Sequence, residues 1–112
     1  MQQHYSASFE RDMACTEAEW LRWFPLAVGD HPWVWMGPRL CEGDGDPAWE
    51  GSARVDLPNG YLLVGWHALP PRVIALLKIP RIKVYYRFEG VAEADRNRFM
   101  RRFDLHTQRG GG

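Results

Sequence analysis

Residues 53–68, "ARVDLPNGYLLVGWHA", decide the fold of this 112-residue chain. Apolar side chains recur at every second position on both sides of a central turn, which is the period of a strand with one buried face. Asn59-Gly60 can adopt the positive φ angles of a tight turn. The stretch therefore predicts an antiparallel hairpin. Its inward-facing positions are Ala53, Val55 and Leu57 on the first strand and Leu62, Val64, Trp66 and Ala68 on the second.

The segment after this hairpin predicts further strand. Pro70-Pro71 should end the hairpin's second strand, because proline has no N–H for a ladder. Residues 72–90, "RVIALLKIPRIKVYYRFEG", then predict either one long strand bent near Pro80 or two shorter ones. The alternation is clearest in the second part. There Ile82, Val84, Tyr86 and Phe88 face inward, and Lys83, Tyr85 and Arg87 face outward.

The N-terminal region predicts a strand followed by a helix. Residues 3–11, "QHYSASFER", alternate with the period of a half-buried strand. Thr16 and Glu19 then have the spacing of a capping box, which marks a helix start. An apolar stripe that includes Trp20 and Trp23 follows. We expect this helix to be short, because Pro25 cannot be accommodated far inside it.

The remaining segments complete the fold prediction. Residues 32–37, "PWVWMG", indicate a strand that is apolar on both faces, and residues 42–47, "EGDGDP", a loop. Residues 92–108 predict the longest element, a helix with acids in its first turn and bases toward its end. The chain, 1–112, is therefore expected to be one α+β domain with a mainly antiparallel sheet of five to six strands and two helices on one face. This order resembles TBP-like and helix-grip topologies, an analogy of fold alone.

Composition limits the classes of protein to which the chain can belong. Its 46% hydrophobic and 25% charged residues are typical of an ordinary soluble domain. The start has no basic region followed by an apolar run, and no stretch approaches the ~18 apolar residues of a membrane helix. We therefore expect a cytoplasmic protein without a membrane partner. Cys15 and Cys41 are expected to be reduced thiols.

The net charge is zero, but the charges are unevenly distributed. Residues 1–56 hold 4 Lys or Arg against 10 Asp or Glu, and residues 57–112 hold the reverse. Either the two halves attract each other, within the fold or between subunits, or the basic half offers a face to an acidic partner. The pattern leaves a homodimer, a protein partner and a small ligand open.

No motif indicates catalysis, a metal or a cofactor. The four histidines lack partners at zinc-site spacing, and the acids of residues 42–50 do not match an EF-hand loop. Cys15 precedes a helix N-terminus but has no evident base, so we interpret it as a packed thiol. The C-terminal glycines resemble the tail of ubiquitin-like modifiers, but they follow a helix, so Gly110 is interpreted as a helix stop.

Aromatic and basic side chains supply the candidate contact residues. The tryptophans of residues 32–37 lie on one side of their strand, opposite Val34 and Met36, so one of these faces could contact a ligand or subunit. On the hairpin strands and on the strand that follows them, aromatic and basic residues share the sheet face away from the helices. That arrangement suits a protein partner and, as the alternative, single-stranded nucleic acid. The candidates are Trp33, Trp35, Tyr61, His67, Tyr85 and Arg87.

Three segments of the chain resemble other proteins. Residues 9–25, "FERDMACTEAEWLRWFP", residues 69–84, "LPPRVIALLKIPRIKV", and the C-terminal "FMRRFDLHTQRGGG" resemble small uncharacterised bacterial proteins with no established activity. The resemblance implies no catalytic or binding residue. The sequence therefore favours a non-enzymatic, homodimeric interaction or ligand-binding module over a nucleic-acid binder or an enzyme. Its contact site is expected either on the aromatic and basic open sheet face or in a cleft between the second helix and the sheet.

Overall fold

The computed structural model describes residues 5–38 and 48–107. Predictions for His4, Cys41, the loop of residues 42–47 and the C-terminal glycines lie outside these residues. The α+β prediction is confirmed, with five strands and two helices in the described chain. The elements are β1 (Ser8–Met13), α1 (Glu17–Val28), β2 (Trp33–Trp35), β3 (Gly51–Leu57), β4 (Gly60–Ile74), β5 (Leu77–Glu89) and α2 (Glu93–Thr107).

The described strands form one antiparallel sheet in the order β1-β5-β4-β3-β2. The predicted hairpin is β3–β4, but its turn lies one residue earlier than expected. Leu57 pairs with Gly60, so Pro58-Asn59 is the loop, and Asn59 alone has positive φ there, at 66°. Gly60 is required for space instead, because a Cβ at that position would lie 1.9 Å from the Glu89 carbonyl oxygen. Glycine at position 60 therefore allows the neighbouring strand to approach closely, and it is not needed for the conformation of the turn.

The first helix begins as predicted and ends later than predicted. The backbone N–H of Glu19 donates to Thr16 Oγ1 at 3.1 Å, and that of Thr16 donates to Glu19 Oε1 at 3.0 Å, which completes the capping box. However, α1 continues through Pro25 to Val28. The prediction of a short helix was wrong because the last turn buries Ala27 and Val28 completely, and this burial offsets the hydrogen bond that proline cannot make.

The core lies between the sheet and the two helices, which pack against each other. Trp20 on α1 contacts Trp66 on β4 and Phe103 on α2, with both ring centroids 5.8 Å away. Tyr86 on β5 meets the same Phe103 ring at 5.9 Å. The inward positions predicted for β3, β4 and β5 are buried, with the exception of Ala68. Both helices therefore cover one face of the sheet, as expected.

Two predictions for the N-terminal and central strands were also inaccurate. β1 starts at Ser8 rather than near residue 3, although Tyr5 is buried. β4 does not end at Pro70-Pro71 but continues to Ile74, and β5 is a single strand through Pro80. The pairing register of β4 and β5 shifts between Leu69 and Arg72. Prolines are accepted at such an irregularity, since their missing N–H groups face no neighbouring strand.

Candidate functional site

Two surfaces of the described chain could serve as a contact site: the open sheet face and a projecting hairpin. The open face is the side of the sheet away from the helices. Tyr61, His67, Tyr85 and Arg87 lie there at outward positions, and all four are half-buried. The structure thus brings together the four candidates that came from strand alternation.

A row of three rings crosses this open face. Tyr85 stacks on Trp49 with ring centroids 5.9 Å apart and on His67 at 5.6 Å. His67 Nδ1 lies 3.1 Å from the Ala68 carbonyl oxygen, so Nδ1 carries the proton, and Nε2 can accept from the Tyr85 hydroxyl at 3.0 Å. Partial burial, and then the charge of Glu10, raise the pKa of Tyr85. The neutral phenol is therefore held as a hydrogen-bond donor.

Trp49 is a member of this row that the sequence pattern did not indicate. It follows the loop of residues 42–47, where no alternation marks an inward or outward position. Its indole is buried on Gly65, whose lack of a side chain leaves the space that it occupies. A glycine within a strand was the available signal, because it often marks the close approach of another group.

Most cations of the open face are neutralised within the fold. Lys83 Nζ lies 3.4 Å from Glu10 Oε1 and 3.5 Å from Asp12 Oδ1. On the same face, along β3, Arg54 Nε donates to Asp56 Oδ1 at 3.1 Å, and the Arg54 guanidinium lies 4.1 Å from the centroid of the Tyr61 ring. These pairs leave little uncompensated positive charge to attract phosphate groups.

Trp33 and Trp35 lie on the opposite face from the other candidates. They pair with Val55 and Ala53, whose side chains face the helices. Both indoles contact Phe24 of α1 with ring centroids 5.3 Å away. Trp33 is half-buried there, whereas Trp35 is 44% exposed at the end of the sheet. The six candidate residues therefore do not form one surface.

The second surface is the projecting end of the β4–β5 hairpin, residues 69–81, here called the arm. β3 pairs with β4 only as far as Trp66, and β1 pairs with β5 only as far as Ile82. Within the described chain, the two arm strands beyond these points pair only with each other. The arm is thus a two-stranded ribbon with two free edges.

The arm end is apolar on both of its faces. Ile74 pairs with Leu77 and points to one face, and Val73 points to the other. Leu76, in the Ala75-Leu76 turn, is 100% exposed, and Leu77 and Val73 are 65% and 63% exposed. A cluster of large apolar side chains at this exposure is unusual on the surface of a monomer.

Positive charge flanks this apolar end. Arg72 directly precedes Val73, and Lys78 directly follows Leu77. In the part of the chain that the structure describes, neither side chain has a carboxylate within ion-pair distance. The sequence from residue 57 to residue 88 contains no Asp or Glu at all. The arm therefore combines exposed apolar area with a net positive charge.

The remaining candidate groups offer little chemistry. Burial, and then the charge of Glu19, raise the pKa of the Cys15 thiol to about 11, so it is a packed thiol and a poor nucleophile. Across residues 5–38 and 48–107, no group of three or more His, Cys, Asp or Glu could hold a metal ion. Phe99, Met100 and Phe103 fill the space between α2 and the sheet.

The described helices are too short or too polar for any of them to cross a membrane. Comparison with known proteins adds no relative to this description: no family model, curated protein or solved structure matches the chain.

Proposed function

We propose that this chain is a non-enzymatic, self-associating interaction module, and that it binds a second copy of itself through the arm. The observation that carries the proposal is the exposed apolar arm end around Leu76. An isolated two-stranded ribbon is marginally stable in water, and its free edges favour further strand pairing. A partner that covers the arm would stabilise the ribbon and would pair the backbone groups of its free edges.

Charge supports a second copy as the partner. The arm is positively charged, whereas residues 1–56 of the same chain carry an excess of acids. Two arms would repel each other if they were placed side by side, because each presents Arg72 and Lys78 and no acid. A contact between the arm of one copy and a surface of the other copy that carries no cation avoids this repulsion.

The arm is favoured over the open sheet face for an energetic reason. On the open face, Lys83 and Arg54 already have carboxylate partners, and Trp49 and Tyr85 already stack on each other. Binding there would break or compete with existing interactions. The arm end makes few interactions with residues 5–38 and 48–107 of its own chain, so its burial brings a gain of about 25 cal/mol per Å² of apolar surface at no comparable loss.

The proposal is tested by sedimentation velocity of the purified chain over a hundredfold range of concentration. We expect the mass to rise from that of one chain, 13.0 kDa, to that of a dimer. Leu76→Asp should raise the dimer dissociation constant roughly tenfold or more, since a buried carboxylate without a partner is costly. Leu105→Asp is the matched control, because Leu105 is also an exposed leucine, at 77%, but belongs to α2 and not to the arm, so this change should leave the constant unchanged.

A single-chain mass at every concentration would overturn the proposal. Sedimentation with phosphatidylserine vesicles then identifies the competing occupant of the arm. Binding to such vesicles that is lost in Leu76→Asp, combined with a monomeric protein, would assign the apolar and basic arm to an anionic lipid surface rather than to a second copy. Equal effects of Leu76→Asp and Leu105→Asp on self-association would likewise overturn the role of the arm.

A further inference from the structure

The two edge strands of the described sheet are protected very differently. β1 carries Glu10, Arg11 and Asp12, and charged side chains are the usual means by which an edge strand resists pairing with another chain. β2 and the residues that flank it, 32–38, contain no charged residue. The β2 edge is therefore the unprotected one.

The backbone of β2 offers hydrogen-bonding groups on its outer side. Asp56 N–H donates to the Pro32 carbonyl oxygen, and Met36 N–H donates to the Ser52 carbonyl oxygen, both at 2.8 Å. Inward-pointing and outward-pointing groups alternate along an antiparallel strand. Val34 therefore points its N–H and C=O toward β3.

It follows that Trp33 and Trp35 point their N–H and C=O groups away from β3. No strand of residues 5–38 or 48–107 lies on that side, since β2 ends the sheet order. Backbone groups at such an edge can pair with a strand from another chain.

The side chains of β2 match those of the arm. On the open face, Val34 and Met36 are exposed, and on the helix face Trp35 is partly exposed. β2 thus presents apolar surface on both faces, as the arm does. The side chains of a strand added beside β2 alternate between the two faces of the sheet. Both apolar faces of the arm would then lie next to apolar side chains of β2, whereas a flat surface would cover only one of them.

We propose that the outer edge of β2 is the acceptor for the arm of a second copy, which adds to the sheet as a further strand. This inference rests on the proposed self-association and names the surface that the arm occupies. The main-chain groups of Trp33 and Trp35 bond to the arm, and Val34, Met36 and Trp35 pack against its apolar side chains. The same patch on each copy then binds the arm of the other.

The first test measures amide hydrogen exchange of individual residues by NMR. In a wild-type sample above the dissociation constant, the amides of Trp33 and Trp35 should exchange at least roughly tenfold more slowly than in the monomeric Leu76→Asp variant. The amide of Val34 is an internal control, because it points toward β3 in both samples. A dimer in which the Trp33 and Trp35 amides exchange as fast as in the monomer would overturn this acceptor while leaving self-association intact.

The second test uses charge at Met36, which is exposed and lies across from the uncharged Ser52. Met36→Lys should weaken the dimer more than Met36→Glu does, because a lysine repels the basic arm. Equal dissociation constants for the two variants would overturn the inference. A wild-type chain that stays monomeric would instead overturn the proposed function itself.

Mixing two variants provides an independent check of the same contact. Leu76→Asp lacks a working arm, and Met36→Lys lacks a working acceptor, so neither should dimerise well alone. A mixture retains one intact contact, from the arm of the Met36→Lys chain to the edge of the Leu76→Asp chain. We expect a heterodimer by native mass spectrometry of the mixture. Its absence, with both variants folded, would overturn the assignment of arm and edge to each other.

Discussion

The indole of Trp49 lies directly on Gly65 in the middle of the sheet: a Cβ built at Gly65 would stand 2.0 Å from Trp49 Cδ2. The close contact positions Trp49 beside Tyr85, which pairs with Gly65 on the neighbouring strand. The aromatic row on the open face therefore depends on the absence of one side chain.

Gly65→Ala should displace Trp49 and destabilise the fold by about 1–3 kcal/mol, the usual cost of forcing extra atoms into a packed site. Urea unfolding measures this loss. The matched background is Trp49→Ala, in which the added methyl group has room. In the Trp49→Ala background, Gly65→Ala should lower the free energy of unfolding clearly less than it does in the wild type. Equal decreases in the two backgrounds would show that Gly65 is not required to make room for Trp49.

The sequence was most informative where one face of a strand is buried and the other is not. The alternation of Leu62, Val64 and Trp66 predicted both the hairpin and its buried side, because a shift of one residue would expose all three. The same alternation placed Tyr61, His67, Tyr85 and Arg87 on the open face. The face on which Trp33 and Trp35 lie could not be predicted, because β2 is apolar on both sides. Only the pairing register of β2 with β3 determines which side faces the helices.

Proline was the main source of error. Pro25 was expected to stop α1, and Pro70-Pro71 to stop β4, because proline removes a backbone donor. In both places the missing donor has little consequence: the last turn of α1 is held by buried Ala27 and Val28, and the arm strands have free edges. The arm, which we propose as the contact site, was therefore not predicted, because the rule that proline ends a strand holds for central strands and not for a two-stranded ribbon.

The salt bridge between Arg11 and Asp104 should be the most important ion pair for stability among those described. Arg11 Nη2 donates to Asp104 Oδ2 at 3.0 Å, and the Tyr5 hydroxyl donates to the same oxygen at 2.6 Å, so one carboxylate joins α2 to β1 and the N-terminal segment. Asp104→Ala should cost about 2–4 kcal/mol, because it leaves a half-buried guanidinium without its partner.

Thermal unfolding with a matched variant checks this prediction. Asp95 pairs with Arg98 on the exposed side of the same helix, at 3.1 Å. Asp95→Ala should change the stability by less than about 1 kcal/mol, because an exposed pair gains little over hydrated ions. Similar losses for Asp95→Ala and Asp104→Ala would contradict the difference in burial on which the prediction depends.

Cys15 should react slowly in the folded protein. Its pKa of about 11 leaves far less thiolate at pH 8 than an ordinary cysteine with a pKa of about 8.5 has. In a Cys41→Ser background, labelling with a chromogenic disulfide reagent should be roughly a hundredfold slower in buffer than in denaturing urea. Labelling at comparable rates in the two solutions would mean that the thiol is neither buried nor protonated as the structure has it.

Tyr86→Phe should make the protein more resistant to alkali. The Tyr86 hydroxyl is buried and has no hydrogen-bond partner among the described residues, and burial raises its pKa above the ordinary value of about 10. Above pH 10 the unfolded chain therefore releases a proton that the folded chain keeps, and stability falls by up to about 1.4 kcal/mol per pH unit for this group. Urea unfolding between pH 8 and pH 11 should show a shallower decline in Tyr86→Phe than in the wild type. Part of the decline should remain, because the pKa values of Tyr5, Cys15, Lys83 and Tyr85 are raised as well. A decline in Tyr86→Phe as steep as that of the wild type would contradict the assignment to the buried Tyr86 phenol.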